Sequence, residues 1–132
     1  TMNTKLDKIL AEISAGELID KITILEIKKI NINDKYKLID VKKELNSLNE
    51  TFRKSIPDPT AINDLTKELK SINLKLWDIE NKKRLAEKNK DFGKNFVDLA
   101  RTVYKTNDER SKIKLKINEL LKSNIKEVKS HY

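Results

Sequence analysis

Residues 14–34 read SAGELIDKITILEIKKININD, and the way this stretch folds decides the architecture. It opens as a capping box. Ser14 stands at the N-cap and Glu17 three positions later, with Ile13 and Leu18 at the flanking hydrophobic-staple positions. A helix over residues 15–30 follows. At about 100° per residue, Leu18, Ile19, Ile22, Leu25 and Ile30 fill one broad arc, while Ile24 and Ile27 point nearly the opposite way. A helix that is apolar on two sides is packed on two sides. This one therefore lies at the centre of a bundle or is shared with a second subunit. Glu26 falls inside the main arc, between the directions of Ile22 and Ile19. Asn31, Asn33 and Asp34 end the pattern, because Asn and Asp compete with helical backbone hydrogen bonds and favour caps. A kink there leaves three long helices, and a tight turn makes four.

Downstream, the apolar spacing becomes a heptad. Leu38, Val41, Leu45, Leu48 and Phe52 predict a helix over 35–53. Ser55-Ile56-Pro57-Asp58-Pro59 is the strongest break, with Asp58 suited to the N-cap and Pro59 to the first helical position. The helix predicted over 59–88 carries the seam Ile62, Leu65, Leu69, Ile72, Leu76 and Ile79. A turn at 89–91, with Asp91 as N-cap, precedes a helix over 92–121. Its seam runs from Phe92 through Phe96, Leu99 and Val103, then Thr106 and Arg110, to Ile113, Ile117 and Leu120. The expected fold is all-α: an antiparallel bundle of three long helices with coiled-coil-like heptad seams, the first broken or kinked near 31–34. Residues 1–13 read as an arm, either a short helix or extended. Residues 14–122 read as a single bundle domain, and 123–132 as a fraying tail.

Composition narrows the chemistry. With two glycines and two prolines in 132 residues, turn-rich β architectures and glycine-rich phosphate loops have no support. No cysteine is present, which excludes thiol catalysis and thiolate metal sites and points to a reducing cytoplasm. The longest unbroken apolar run is Ile9-Leu10-Ala11, far short of the roughly 20 residues of a membrane span, and no apolar leader of a signal peptide is expected. His131 is the one histidine, so a multi-histidine metal site cannot be built; the Glu-x-x-His repeats of di-iron bundles are absent, and with no histidine partner for the serines a Ser-His-Asp triad is unsupported. No catalytic residue, metal or cofactor is assigned, and a non-enzymatic role is favoured. The net charge of +8 comes from 25 lysines and only four arginines. Arginine is the usual bidentate reader of phosphates and guanines, so this excess is weak evidence for nucleic acid.

One constellation stands apart from the seams. Asn73, Trp77, Glu80 and Arg84 share a face of the third predicted helix, and Tyr104, Asn107, Ser111 and Lys114 share one on the last. If these stripes adjoin, Glu26, Trp77, Glu80, Tyr104, Asn107 and Arg110 form a candidate polar ligand site, with Trp77 and Tyr104 as walls. Glu26 is the expected ionic partner of Arg110, since a guanidinium on a seam is costly unless paired. The plain alternative is a structural polar layer of the kind bundles use to set register.

Gly16-Glu17-Leu18-Ile19-Asp20-Lys21-Ile22-Thr23-Ile24-Leu25-Glu26-Ile27-Lys28 resembles the opening signature of an uncharacterised bacterial helical domain family. Asn73 to Glu80 and the stretch from Asp91-Phe92-Gly93 to Asn118 agree with it in order and spacing. The resemblance covers about residues 14–122. It implies a small bacterial protein with no established catalytic residues, from a family sometimes associated with cell-surface polysaccharide or glycosyltransferase genes. Its motifs include Glu17, Asp20, Lys21, Glu26, Trp77, Glu80, Tyr104, Asn107 and Arg110.

Three functions follow from these readings. The first is a non-enzymatic helical module for protein interaction or oligomerisation, with a homodimer favoured by the two-sided first helix. The second is a small-ligand or anion-binding protein or enzyme using the polar pocket. The third is a lysine-mediated nucleic-acid binder.

Overall fold

A computed structural model describes residues 4–130; the reading of His131 lies outside them. α1 (Ala15–Asn31) starts where its cap predicts. Ser14 has extended backbone, and its Oγ accepts from Glu17 N at 3.1 Å. At the far end Asn31 Nδ2 donates to Ile27 O at 2.8 Å, and Ile32 leaves the helix with extended backbone. Asp34 then caps α2 (Lys35–Ser55), its Oδ1 accepting from Tyr36 N at 2.9 Å and Lys37 N at 3.1 Å. The break is thus a tight turn, and the three-helix expectation gives way to four α-helices, with no strand among the described residues. The cause is local: Asp34 satisfies the free N–H groups of a new helix, so the chain restarts rather than bends.

Asp58 Oδ1 accepts from Thr60 N and Thr60 Oγ1 at 3.1 and 2.6 Å, opening one 3-10 turn (Thr60–Ile62) before α3 (Asn63–Lys88). That turn delivers Ile62, fully buried, to the core. α3 closes on Lys90, whose φ is 54°, with Asp91 N donating to Ala86 O at 2.8 Å. This six-to-one bond is the Schellman closure. Asp91 belongs to this closure and does not cap the next helix as expected. α4 (Lys94–Leu120) begins after Gly93 instead. The same closure recurs at Lys122 (φ 52°), where Ser123 N donates to Asn118 O at 2.8 Å.

Beyond Lys122 the chain turns back along α4. Glu127 meets Ser14 Oγ at 3.0 Å and Lys129 meets Asp108 at 2.8 Å. These contacts tie the tail to the bundle where fraying was expected. Among the described residues no helix is long and apolar enough to cross a membrane.

α1 is the hub. It packs against α2, α3 and α4, while α3 and α4 pack against each other and α2 rests on α1. Gly16 faces Lys114 and Asn118 of α4, and Asp20 faces Arg110, so α1 and α4 run in opposite directions. Ile19, Ile62, Leu69, Ile113 and Ile117 form one buried cluster among α1, the 3-10 turn, α3 and α4. Leu25, Val41 and Leu45 form a second between α1 and α2, flanked by Ile22, Ile32 and Leu48. Both clusters draw on the main arc of α1; on its second side Ile27 is buried and Ile24 half-buried. Ile30 was expected in the main arc but is 76% exposed, because α1 ends one residue later.

Candidate functional site

Between the apolar clusters lies a polar layer centred on Asp20, a residue with no exposed surface. Burying a carboxylate is costly unless it is paired and hydrogen-bonded. Asp20 is both. Arg110 grips it with two nitrogens, Nε donating to Oδ1 at 2.9 Å and Nη2 to Oδ2. Asn73 Nδ2 donates to Asp20 Oδ1 and to Thr23 Oγ1, each at 2.9 Å, and Thr23 Oγ1 donates to Asp20 O at 2.8 Å. One network thus joins α1, α3 and α4. The hydrogen bond that Arg110 donates to Asp20 raises the Arg110 pKa above the ordinary arginine value and outweighs the opposing effect of burial. Arg110 keeps 28% of its side chain exposed, so the pair has a rim.

A second ionic group sits one turn toward the start of α1. Lys114 Nζ lies 2.6 Å from Glu17 Oε2, 3.5 Å from Glu127 Oε2 and 3.9 Å from Asp20 Oδ2. Burial works to raise the Glu17 pKa, but the hydrogen bond and charge of Lys114 more than offset it, and the net shift is downward. Here Glu17 has left the reciprocal half of a capping box for a partner across the fold. At the same level Gly16 N donates to Asn118 Oδ1 at 2.6 Å. A Cβ on Gly16 would stand 2.5 Å from the backbone oxygen of Lys114, so only glycine lets α1 approach α4 this closely.

The sequence-predicted residues divide among three places. Trp77, Glu80 and Arg110 line one groove of about 430 Å3, with Arg84 on its α3 side and Ile24 and Ile27 from α1. Tyr104 is exposed and lines a different groove with Asn107, Ser111 and Glu127, so it does not wall a site opposite Trp77. Asn107 Oδ1 accepts a long 3.4 Å contact from Arg110 Nη1 and so lies next to the network. Glu26 belongs to neither groove. It pairs with Lys70 at 3.6 Å on the surface, and the carboxylate that pairs with Arg110 is Asp20 instead.

Asp20 was the main omission of the periodicity argument. On the wheel it lies between Ile24 and Ile27, in the middle of the second apolar side of α1. A carboxylate inside an apolar stripe is the signal that would have marked it, and the resemblance already included it. Among the described residues every buried side-chain nitrogen and oxygen has a hydrogen-bond partner. The network is satisfied within the chain, and no group of three His, Asp or Glu side chains converges on a metal position there. Its chemistry is cohesive: it holds three helices in one register.

Comparison with curated proteins gave no match, and comparison with solved structures gave none either. A family model described as a family of unknown function, DUF6165, matches residues 9–132. That match takes in the last residues of the arm, all four helices and the tail, so the chain belongs to this family.

Proposed function

We infer that the protein is a non-enzymatic helical module that binds a protein partner, a second copy of itself included. The carrying observation is the arm. Residues 4–13 form neither helix nor strand, and all of them are exposed. Leu6, Ile9 and Leu10 are 77, 84 and 87% exposed. With Ile13 they stand at i, i+3, i+4 and i+7, the spacing of an amphipathic helix face. A segment with that pattern and nothing covering it suits folding against a partner, in the helix-in-groove mode. The closed polar network supports the non-enzymatic part of the reading, since its charged groups are engaged with one another. The absence of cysteine supports a cytoplasmic setting, and the family resemblance supports a bacterial one near cell-surface polysaccharide synthesis.

The test compares wild type with Leu6→Ser/Ile9→Ser/Leu10→Ser. Sedimentation at two concentrations reads self-association. Affinity capture from the host with a high-salt wash reads other partners. The variant should melt like wild type and lose the association. A wild-type chain that stays monomeric and retains no protein through the wash would sink the reading. Nucleic acid that is captured and then lost in the wash would favour the lysine faces instead, because that contact is salt-sensitive.

A further inference from the structure

The groove beside Trp77 adds Arg84 and an apolar wall to the edge of the polar network. Two of the chain's four arginines, Arg84 and Arg110, line it. Arg110 is held in place by Asp20 and keeps 28% of its side chain exposed. Arg84 is exposed and has no ion pair among the described residues. The one acid in the groove, Glu80, is already paired with Lys83 at 3.7 Å. The wall is Trp77, the single tryptophan of the chain, half-buried beside Leu76 and the isoleucines of α1. At about 430 Å3 the space lies within the range of small-molecule sites.

We propose that this groove binds a small, flat, apolar anion, an aromatic carboxylate in chemical class. The indole and aliphatic side chains take the ring, since aromatic faces pack on tryptophan at low entropic cost. The guanidinium of Arg84 takes the carboxylate, whose planar oxygens match its fork. Arg110, paired with Asp20, adds a fixed N–H edge to the lining. A cation is disfavoured: Glu80 has Lys83 beside it, and the unpaired charge in the groove is Arg84. The site lies on α1, α3 and α4, apart from the arm, so its failure leaves the interaction reading standing and the converse also holds.

The single tryptophan makes the test direct. Its indole N–H gives one cross-peak in a nitrogen–proton correlation spectrum. Titration with naphthalene-2-carboxylate should move that peak to saturation. The neutral isostere naphthalene-2-methanol should bind about tenfold more weakly, the loss of one charge-assisted hydrogen bond. Arg84→Gln, at an exposed position, should keep the wild-type melting temperature and weaken the acid by a similar factor while leaving the alcohol unchanged. An unmoved indole peak at millimolar acid would overturn the proposal. So would equal binding of acid and alcohol, or full-strength binding of the acid by a folded Arg84→Gln.

Discussion

Toward α2, α1 presents Ile22 and Leu25 to Val41, Leu45 and Leu48. Toward α3 and α4 it presents Gly16, Asp20 and Thr23 to Asn118, Arg110 and Asn73. The first seam is apolar and regular, and its strength scales with area removed from water. The second has a glycine contact and a bidentate ion pair, and both demand one register. An apolar seam tolerates a slide of its ridges at modest cost. A guanidinium displaced by one turn would leave Asp20 buried and unpaired, which is far worse. Both sides of α1 bury apolar residues, and the side toward α3 and α4 adds the contacts that specify how the helices align.

The sharpest way to break this contrast is Arg110→Leu. It strips the fully buried Asp20 of its counter-ion, and a loss of about 3–5 kcal/mol is expected from chemical denaturation. The double variant Asp20→Leu/Arg110→Leu should recover much of that loss, since no charge is left buried without a partner. An unchanged melting temperature in the single variant would mean that the pair does not hold the seam.

Gly16→Ala should rank next. The added methyl meets the Lys114 carbonyl oxygen and the Asn118 amide oxygen at 2.5 and 3.0 Å. Overpacking against backbone costs about 1–3 kcal/mol, and strain on the Gly16–Asn118 hydrogen bond adds to it. Leu45→Ala tests the other seam. A buried leucine truncation costs about 2–5 kcal/mol, and the lower end is expected because α2 rests on α1 alone. Hydrogen exchange should separate the two seams further: Leu45→Ala should speed exchange in α2 while α3 and α4 stay protected. Uniform acceleration across all helices would show that the seams are not separable.

The smallest effect concerns acid. The Glu17 pKa is lowered in the folded state, so the Lys114 contact contributes stability above the ordinary glutamate range. That contribution is lost as pH falls through the lowered folded value. Glu17→Gln should therefore flatten the acid limb of a melting-temperature profile, by under about 1 kcal/mol for a partly exposed pair. An identical acid limb in both proteins would remove Glu17 from the account. Arg110 contributes no comparable limb, because its pKa is raised from a value already outside the working range.

Much of the fold was legible because its signals are local. Ser14, Asp34 and Asp58 announce their turns through oxygens that reach N–H groups two or three residues away. The heptads of α2 and α3 name Val41, Leu45, Leu69 and Ile79 as buried through the fixed pitch of a helix. Local chemistry also misled once, at Asp91, where an N-cap signal lost to the Schellman closure of the preceding helix. The candidate site was legible in its residue types and not in its pairings. Arg110 was marked as a costly cation needing a carboxylate, yet Glu26 and Asp20 both stand on α1 and both interrupt an apolar face. Trp77 and Tyr104 share helical spacing with polar neighbours but open onto different grooves.

By itself, the sequence determined that this chain is helical, that its first two helices begin after Ser14 and Asp34, and most of the apolar positions that leave water. Helix pitch and capping geometry settle those matters within a few residues of chain. Only the tertiary structure decided that α1 is the hub, that Asp20 rather than Glu26 meets Arg110 across 90 residues, and that Gly16 is a contact point. Those outcomes depend on the rotation and offset of packed helices. Periodicity along a single helix reports its own faces and is silent about which face of its neighbour each one meets.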